Sequence, residues 1–446
     1  MSPETILQKY WGYTSFRKNQ KSIIQSIIDG HDTLALMATG GGKSICYQVP
    51  ALMTDGVTLV ISPLIALMKD QVERLKERGI FAEAIYSGMH PSAVDRILDN
   101  AIYGKIKLLY LSPERLKSEM AIARIQRMKV NLIAVDEAHC ISQWGFDFRP
   151  SYLEIKDIRE WHPTSPILAL TATATARVIE DIEDQLELRQ AQIFKSSFAR
   201  SNIALSTTQA ESKEHLLAKL CSDHQITRIV YANTRKQTKI FSDHLKRLGL
   251  QSDFYHAGLS TKERLRKQKA WTEGKISTIV CTNAFGMGID KADVRQVIHL
   301  HIPGTIESYF QEAGRAGRDG QDAEAVLLYY QRDIDKLSTS IELSFPPMTT
   351  LRKVYQSLAN FLNLAIGSGK NESFDFDLTK FCQAYNLQVL EAYHSLNVLE
   401  KEGWLTLSEG YSRPSSLRFK IPGNQVYQYQ INDSKGSELI AVLLRT

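Results

Sequence analysis

Thr33-Leu34-Ala35-Leu36-Met37-Ala38-Thr39-Gly40-Gly41-Gly42-Lys43-Ser44 reads as a buried strand, a glycine loop and the opening of a helix. The same strand character returns at Val57 to Ile61, Ile106 to Leu111, Leu132 to Val135 and Ile167 to Leu170, with amphipathic stretches such as Leu67 to Arg78 and Ala176 to Leu186 between them. Short apolar runs alternating with helices predict βαβ units around a parallel sheet. A second series follows at Arg228 to Tyr231, Thr278 to Thr282, Val297 to Leu300 and Ala325 to Tyr329, with helices such as Gln237 to Leu248 between. The polar stretch Ser196 to Asn202 is the seam, so the pattern predicts two α/β domains, residues 1–197 and 198–338.

Beyond residue 338 the pattern changes. Phe345-Pro346-Pro347 breaks the chain, a helical pattern runs from Leu351 to Ile366, and Gly367 to Asn371 is a loop. Leu378 to Tyr385 and the apolar positions Val389, Leu390, Tyr393, Leu396 and Leu399 mark two further helices, turning at Asn386 and stopping at Gly403. Trp404 to Leu407 and Leu417 to Ile421 read as strands on either side of Ser408-Glu409-Gly410. The expectation for 339–446 is a mainly helical, winged-helix-like module. Ile440 to Leu444 is apolar with no stop signal after it, as in a truncated chain.

Composition narrows the function classes. A chain of 446 residues has room for about three domains. Its 43% apolar content supplies cores and excludes a largely disordered protein. No apolar run is long enough to span a bilayer, and Met1 to Glu4 opens no signal peptide. An intracellular protein without membrane attachment is expected, cytoplasmic and nucleoid-associated or nuclear. The net charge of +5 suits a polyanionic partner but is spread over a long chain. Cys46, Cys140, Cys221, Cys281 and Cys382 form no close pair, which excludes a small disulfide framework and a zinc site built on closely spaced cysteines. They are expected as buried thiols in a reducing compartment, and no structural metal is expected.

The glycine loop has a chemistry. Glycines let backbone amides close on phosphate oxygens, the helix N-terminus adds positive potential, Lys43 reaches the β- and γ-phosphates, and Ser44 holds Mg²⁺. The strict pattern has glycine where this chain has Met37. Asp136-Glu137-Ala138-His139 follows Leu132 to Val135, so a strand delivers two carboxylates to the sheet edge beside the phosphate loop. Asp136 is expected to hold Mg²⁺ through water and Glu137 to deprotonate the attacking water. Gln311-Glu312-Ala313-Gly314-Arg315-Ala316-Gly317-Arg318-Asp319 places two arginines three apart, read here as one helix face. Arginines presented across a cleft stabilise the transition-state charge of phosphoryl transfer, which gives the second domain its purpose.

Taken together these motifs resemble the RecQ family of superfamily 2 helicases, of the DEAH-box type, over about residues 5–330. The resemblance implies two tandem RecA-like domains, ATP and Mg²⁺ as cofactors, and movement along DNA in DNA repair or recombination. Phe16-Arg17-x-x-Gln20 with Tyr13 upstream resembles the adenine-reading segment: Tyr13 stacks on the base, Arg17 assists and Gln20 reads its edge. Nucleotide contacts are thus expected from Tyr13, Arg17, Gln20, Thr39, Gly40, Gly41, Gly42, Lys43, Ser44 and Asp290, the last within Ala284 to Asp290, which resembles the family's penultimate motif. Ser62 to Gln71 and Ser112 to Arg115 resemble strand-tracking motifs, and Thr171-Ala172-Thr173-Ala174 the motif that links hydrolysis to domain movement.

Cys140 to Pro150 resembles the aromatic-rich loop that couples single-stranded DNA to hydrolysis. Trp144, Phe146, Phe148 and Arg149 offer stacking faces and a phosphate contact, with stacking worth roughly 1–3 kcal/mol per base; the lesser alternative for Trp144 or Phe148 is a core anchor. Phe146 stands where the family has His. Ser62 and Thr282 are further DNA-contact candidates, while Arg235, Lys236 and His256 are phosphate contacts or caps. His299 and His301 are expected in a core. The four-cysteine zinc module that many RecQ proteins carry after this point cannot form, since only Cys382 follows Tyr330. Arg413, Arg418 and Lys420 on the wing are DNA contacts or a solvated hairpin. The expectation is a monomeric ATP-dependent 3′→5′ DNA helicase acting on single-stranded and tailed or forked duplex DNA, its direction resting on resemblance alone. An RNA helicase, or an ATP-gated clamp or translocase that does not unwind, remain open at this point.

Overall fold

The computed structural model describes residues 1–407 except 39, 87, 146–147, 198, 224–225, 286–290, 366 and 370–371. In the first sheet the strands are β1 (Thr33–Leu36), β2 (Val57–Ile61), β3 (Ala82–Ile85), β4 (Leu108–Leu111), β5 (Val130–Val135), β6 (Ile167–Thr171) and β7 (Gln192–Lys195). They lie in the order β3-β4-β2-β5-β6-β1-β7, and every neighbouring pair is parallel. The second sheet holds β8 (Ile203–Gln209), β9 (Thr227–Tyr231), β10 (Ser252–Tyr255), β11 (Thr278–Cys281), β12 (Val294–His299) and β13 (Ala323–Tyr329). Its order is β10-β11-β9-β12-β13-β8, again parallel throughout.

Side chains alternate across a strand, and helices cover both faces of each sheet. Leu34 and Leu36 enter one core with Leu59, Ile133 and the helix Pro91–Ile102, whereas Ala35 enters the opposite core with Val60, Leu132 and the helix Ile45–Met53. The second sheet divides in the same way, Ile229 and Tyr231 to one side and Val230 to the other. Asp32 fastens the start of β1. Its carboxylate accepts the amides of Ile167 at 2.8 Å and Arg189 at 2.7 Å, and pairs with Arg159 at 2.5 Å, both side chains being buried. That pairing keeps the strand carrying the glycine loop in register with β6 (Thr33 beside Leu168).

The chain divides into two compact units, Met1–Ser338 and Thr339–Thr446. The second contains the helices Met348–Phe361, Leu378–Tyr385 and Val389–Lys401 around a core of Val354, Phe381, Cys382, Ala392 and Leu396. The first of these stops short of the expected Ile366, because Asn363 turns into the left-handed region at φ 53°. Trp404 to Leu407, expected as a strand, pair with no strand among the described residues. The partner strand Leu417 to Ile421, the basic wing residues and the apolar end lie outside the described residues. All five cysteines are buried free thiols. Among the described residues no helix is long and apolar enough to cross a membrane.

Candidate active site

In a parallel sheet every strand ends at the same edge, and here β5, β6 and β1 are neighbours. Their ends deliver the two carboxylates, Thr171 and the glycine loop to one place. The loop turns at Gly40 and Gly42, with φ of 79° and 80°. A side chain at Gly42 would set its Cβ 2.4 Å from Gln20 Nε2. Met37, where stricter patterns have glycine, is buried against the first turn of the following helix, 3.6 Å from Cys46 Sγ.

Lys43 Nζ meets Glu137 Oε1 at 3.1 Å. Burial works against the lysine's charge, but Glu137 and Asp136 more than restore it, so Lys43 remains an ammonium. Burial likewise opposes ionisation of Glu137, yet Lys43, His139 and Arg315 together hold it below the usual carboxylate range. Asp136 moves the other way, pushed up by burial and by the neighbouring Glu137. One carboxyl kept high by a like charge is the setting in which a divalent cation is welcome, and Ser44 and Asp136 are oxygen donors of the kind Mg²⁺ takes.

Glu137 is itself in the left-handed region, at φ 48° and ψ 47°, a conformation that persists only where the surroundings impose it. Its amide donates to Asp136 Oδ1 at 3.0 Å, and Tyr152 donates to the Asp136 carbonyl at 2.9 Å. Buried His139 bonds Thr171 Oγ1 through Nδ1 at 2.9 Å and lies 3.5 Å from Glu137 Oε2. Thr171 Oγ1 in turn donates to the Thr173 carbonyl at 3.0 Å. The Thr171 to Ala174 motif thus reaches Glu137 through one histidine.

A cleft of about 550 Å³ brings these residues together with Arg315 and Arg318 of the second sheet. Neither arginine is on a helix face, contrary to the sequence expectation. The helix Ile306–Ala313 ends at Gly314, and both arginines project from the turns that follow. Gly317 enforces this: it adopts φ 54°, and a Cβ there would lie 2.4 Å from Asn202 Nδ2. Arg315 is 6% exposed, and its charge bears on Glu137. A Cβ on Gly40 would lie 3.2 Å from Arg318 Cγ and 3.5 Å from Arg200 Nη1, so both arginines lie against the glycine loop.

Arg200 and Asn202 were read only as part of a polar seam. Arg200 donates to the carbonyls of Gly317 at 2.7 Å, Ala316 at 3.3 Å and Gly314 at 3.4 Å. Asn202 Nδ2 donates to the carbonyls of Gly317 and Gln321, both at 2.8 Å. The linker between the sheets therefore carries the turn that presents Arg315 and Arg318. An arginine and an asparagine two apart in a linker were the available signal.

The segment expected at the adenine is in place on the same cleft. Tyr13 is 59% exposed, Arg17 donates to the Gly40 carbonyl at 2.5 Å, and Gln20 Nε2 donates to the carbonyls of Gly41 at 3.3 Å and Gly42 at 3.1 Å. Thr39 and Asp290 lie outside the described residues.

In the aromatic loop Trp144 is exposed, Phe148 half-buried, and Arg149 bonds the Pro63 carbonyl at 3.2 Å; Phe146 lies outside the described residues. Ser62, expected to touch DNA, is 1% exposed and lies at the end of β2 beside β5, which leads into Asp136. Thr282 is also buried, at the end of β11. His256 stacks on Phe254, with ring centroids 5.7 Å apart. His299 is buried and bonds Glu312 at 2.9 Å, a core role, while His301 lies just beyond the end of β12, near the same glutamate.

Residues 17–182 match the family model for DEAD/DEAH box helicases, and residues 212–320 that for the helicase conserved C-terminal domain. The chain is 43% identical to the ATP-dependent DNA helicase RecQ of Pasteurella multocida over 329 residues, 74% of this chain and 52% of the relative. It is 42% identical to the probable ATP-dependent DNA helicase RecS of Bacillus subtilis over 344 residues, 76% of this chain and 69% of that one. Among solved structures it is similar in fold to the DUF1998 helicase MrfA bound to DNA, with a TM-score of 0.62 at 19% identity, covering 76% of this chain and 53% of that chain. The match spans about half the length of the RecQ relative.

Proposed function

The chain belongs to the RecQ family of helicases, and on that footing we propose that it is an ATP-dependent 3′→5′ DNA helicase. It would couple ATP hydrolysis to translocation on single-stranded DNA and to unwinding of tailed or forked duplexes, as a monomer with domains 1–197 and 198–338. The observation that carries this reading is the meeting of Lys43, Glu137, Arg315 and Arg318 in one cleft between two parallel sheets. An adenine would stack on Tyr13 and be read at its edge by Gln20, with its phosphates on the glycine loop and Lys43. Ser44 and Asp136 would hold Mg²⁺, which neutralises phosphate charge when bound. Glu137, kept ionised, accepts the proton of the attacking water, and Arg315 and Arg318 meet the charge that develops on the phosphates.

The aromatic loop begins beside His139, so a strand stacked on Trp144 is three contacts from Glu137, through Ser142 and His139. Alanine at Trp144 should therefore lower the ratio of DNA-stimulated to unstimulated hydrolysis; a ratio equal to the parent's would remove the coupling role. The whole reading is tested by strand separation of a 3′-tailed duplex with ATP and Mg²⁺, with a 5′-tailed duplex and the Lys43→Ala variant as controls. Unwinding of the 3′-tailed substrate alone, lost with Lys43→Ala, is the expected result. DNA-stimulated hydrolysis without unwinding would instead assign these residues to a clamp or translocase. Stimulation by RNA but not DNA would make it an RNA helicase.

A further inference from the structure

Trp144 does not stand alone in its loop. The guanidinium of Arg177 lies over the indole, 3.3 Å from the ring centroid, while Trp144 still exposes 58% of its surface. Arg177 is the second residue of the helix Ala176–Gln185, which starts directly after the Thr171 to Ala174 motif. The same helix holds the loop at a second point. Ser142 Oγ donates to Asp181 Oδ2 at 2.6 Å and accepts the Trp144 amide at 3.1 Å. Arg177 and Asp181 are four apart and so share one helix face. The loop also closes on itself, with Gly145 N donating to Ser142 O at 2.9 Å and Arg149 N to Cys140 O at 2.8 Å.

We propose that Arg177 is a positioning residue for nucleic-acid binding: it backs one face of Trp144 and presents the other to a base, which completes an arginine–indole–base stack. The inference rests on the reading of this loop as a stacking element for single-stranded DNA. An indole that must be immobilised when the base arrives gives up part of the stacking gain, whereas one already held does not. Guanidinium is suited to the task because its plane covers a ring face, and a lysine ammonium does not.

The experiment is binding of a fluorescent single-stranded oligothymidylate, followed by anisotropy across a series of salt concentrations. It compares the parent with Arg177→Ala, Arg177→Lys, Trp144→Ala and the Arg177→Ala/Trp144→Ala double variant; thermal unfolding checks that each is folded. Arg177→Ala should bind about three- to fivefold more weakly, the size of a cation–π contact at an exposed site. Arg177→Lys should recover only part of that. In the Trp144→Ala background the loss of Arg177 should have little further effect, and the dependence of log affinity on log salt should keep the parent slope. A slope reduced by about 0.7, the signature of one lost phosphate contact on a single strand, together with the same loss in the Trp144→Ala background, would overturn the proposal. Parent-like affinity of Arg177→Ala would overturn it as well. If Trp144→Ala itself binds like the parent, the stacking role of the loop fails; if only Trp144→Ala loses affinity, that role stands and the positioning role fails.

Discussion

Alanine at Arg200 should slow ATP turnover although this side chain belongs to neither sheet. Its guanidinium holds three carbonyls of the arginine turn, and only the bond to Gly317, at 2.7 Å, is short; those to Ala316 and Gly314 are 3.3 and 3.4 Å. A hydrogen bond from a charged group is worth roughly 1.5–3 kcal/mol, and stretched ones contribute far less. Asn202 keeps its own 2.8 Å bond to the Gly317 carbonyl, so the turn loses one of two strong tethers. The disturbance is then about 2 kcal/mol, which corresponds to roughly 30-fold in kcat if it falls wholly on the charge stabilisation by Arg315 and Arg318. The assay is steady-state ATP hydrolysis at saturating single-stranded DNA, with ATP affinity measured separately by displacement of a fluorescent nucleotide. The expected pattern is a large fall in kcat with a change in affinity below about threefold, since uniform binding is not what the turn supplies. Arg200→Lys should recover little, because an ammonium cannot span three carbonyls. An unchanged kcat in Arg200→Ala refutes the reasoning. A loss confined to affinity would mean that Arg200 serves the ground-state nucleotide and not the turn.

Arg318→Ala should reduce kcat by on the order of 10³, as loss of an arginine across a phosphoryl-transfer cleft does, with ATP affinity falling far less in the same two assays. Gly42→Ala places a Cβ 2.4 Å from Gln20 Nε2 at φ 80°, so left-handed strain of about 1–2 kcal/mol adds to the displaced glutamine, and calorimetry should show ATP binding weakened by at least tenfold. Combining it with Gln20→Ala should cost less than the sum of the two, because the crowding atom is gone. Asp32→Ala strands the buried Arg159 without its partner and should destabilise the first sheet by about 3–5 kcal/mol, read as a lower urea midpoint; a midpoint equal to the parent's would show that the pair does not hold β1.

The nine strands legible in the sequence include every interior strand of both sheets. The four that were missed are β3, β7, β8 and β10, and these are the four sheet edges. An interior strand in a parallel sheet is covered on both faces and reads as a run of Val, Ile and Leu, as Val57 to Ile61 does. An edge strand is held by backbone bonds along one side, and its side chains need not announce it. Ile203–Gln209, Ile-Ala-Leu-Ser-Thr-Thr-Gln, is largely exposed yet pairs with β13 over its whole length. The site divides in a similar way. Asp136 and Glu137 directly follow β5 and Lys43 closes the glycine loop after β1, so their position follows from local pattern. The placement of Arg315 and Arg318 does not, because the helix ends at Gly314, Gly317 turns the chain after it, and Asn202, more than a hundred residues upstream, fixes the turn. The burial of Ser62 is non-local in the same way: its residue type and motif are local, but its burial depends on β5 lying next to β2.

Those non-local contacts tie the two sheets together at the cleft. Both sheets are parallel, so each gathers its loops at one edge, and the lysine and carboxylates meet the arginines only if the two edges share a cleft. The chain crosses between them at Ser196 to Asn202, and this crossing contains Arg200 and Asn202, bonded to the arginine turn, with Arg200 also against the position of Gly40. A displacement of one sheet relative to the other is therefore expected to load the turn tethered by Arg200 and Asn202, while Lys43 and Glu137 stay paired within the first sheet. On the side proposed to meet nucleic acid the contacts run from Trp144 to Ser142, from the Ser142 amide to the His139 carbonyl at 3.2 Å, and from His139 to Thr171. Coupling through such contacts needs no extended network, only two arrangements of a few bonds. Arg200 and Arg177 each brace one end of these contacts, Arg200 at the arginine turn and Arg177 over the indole of Trp144.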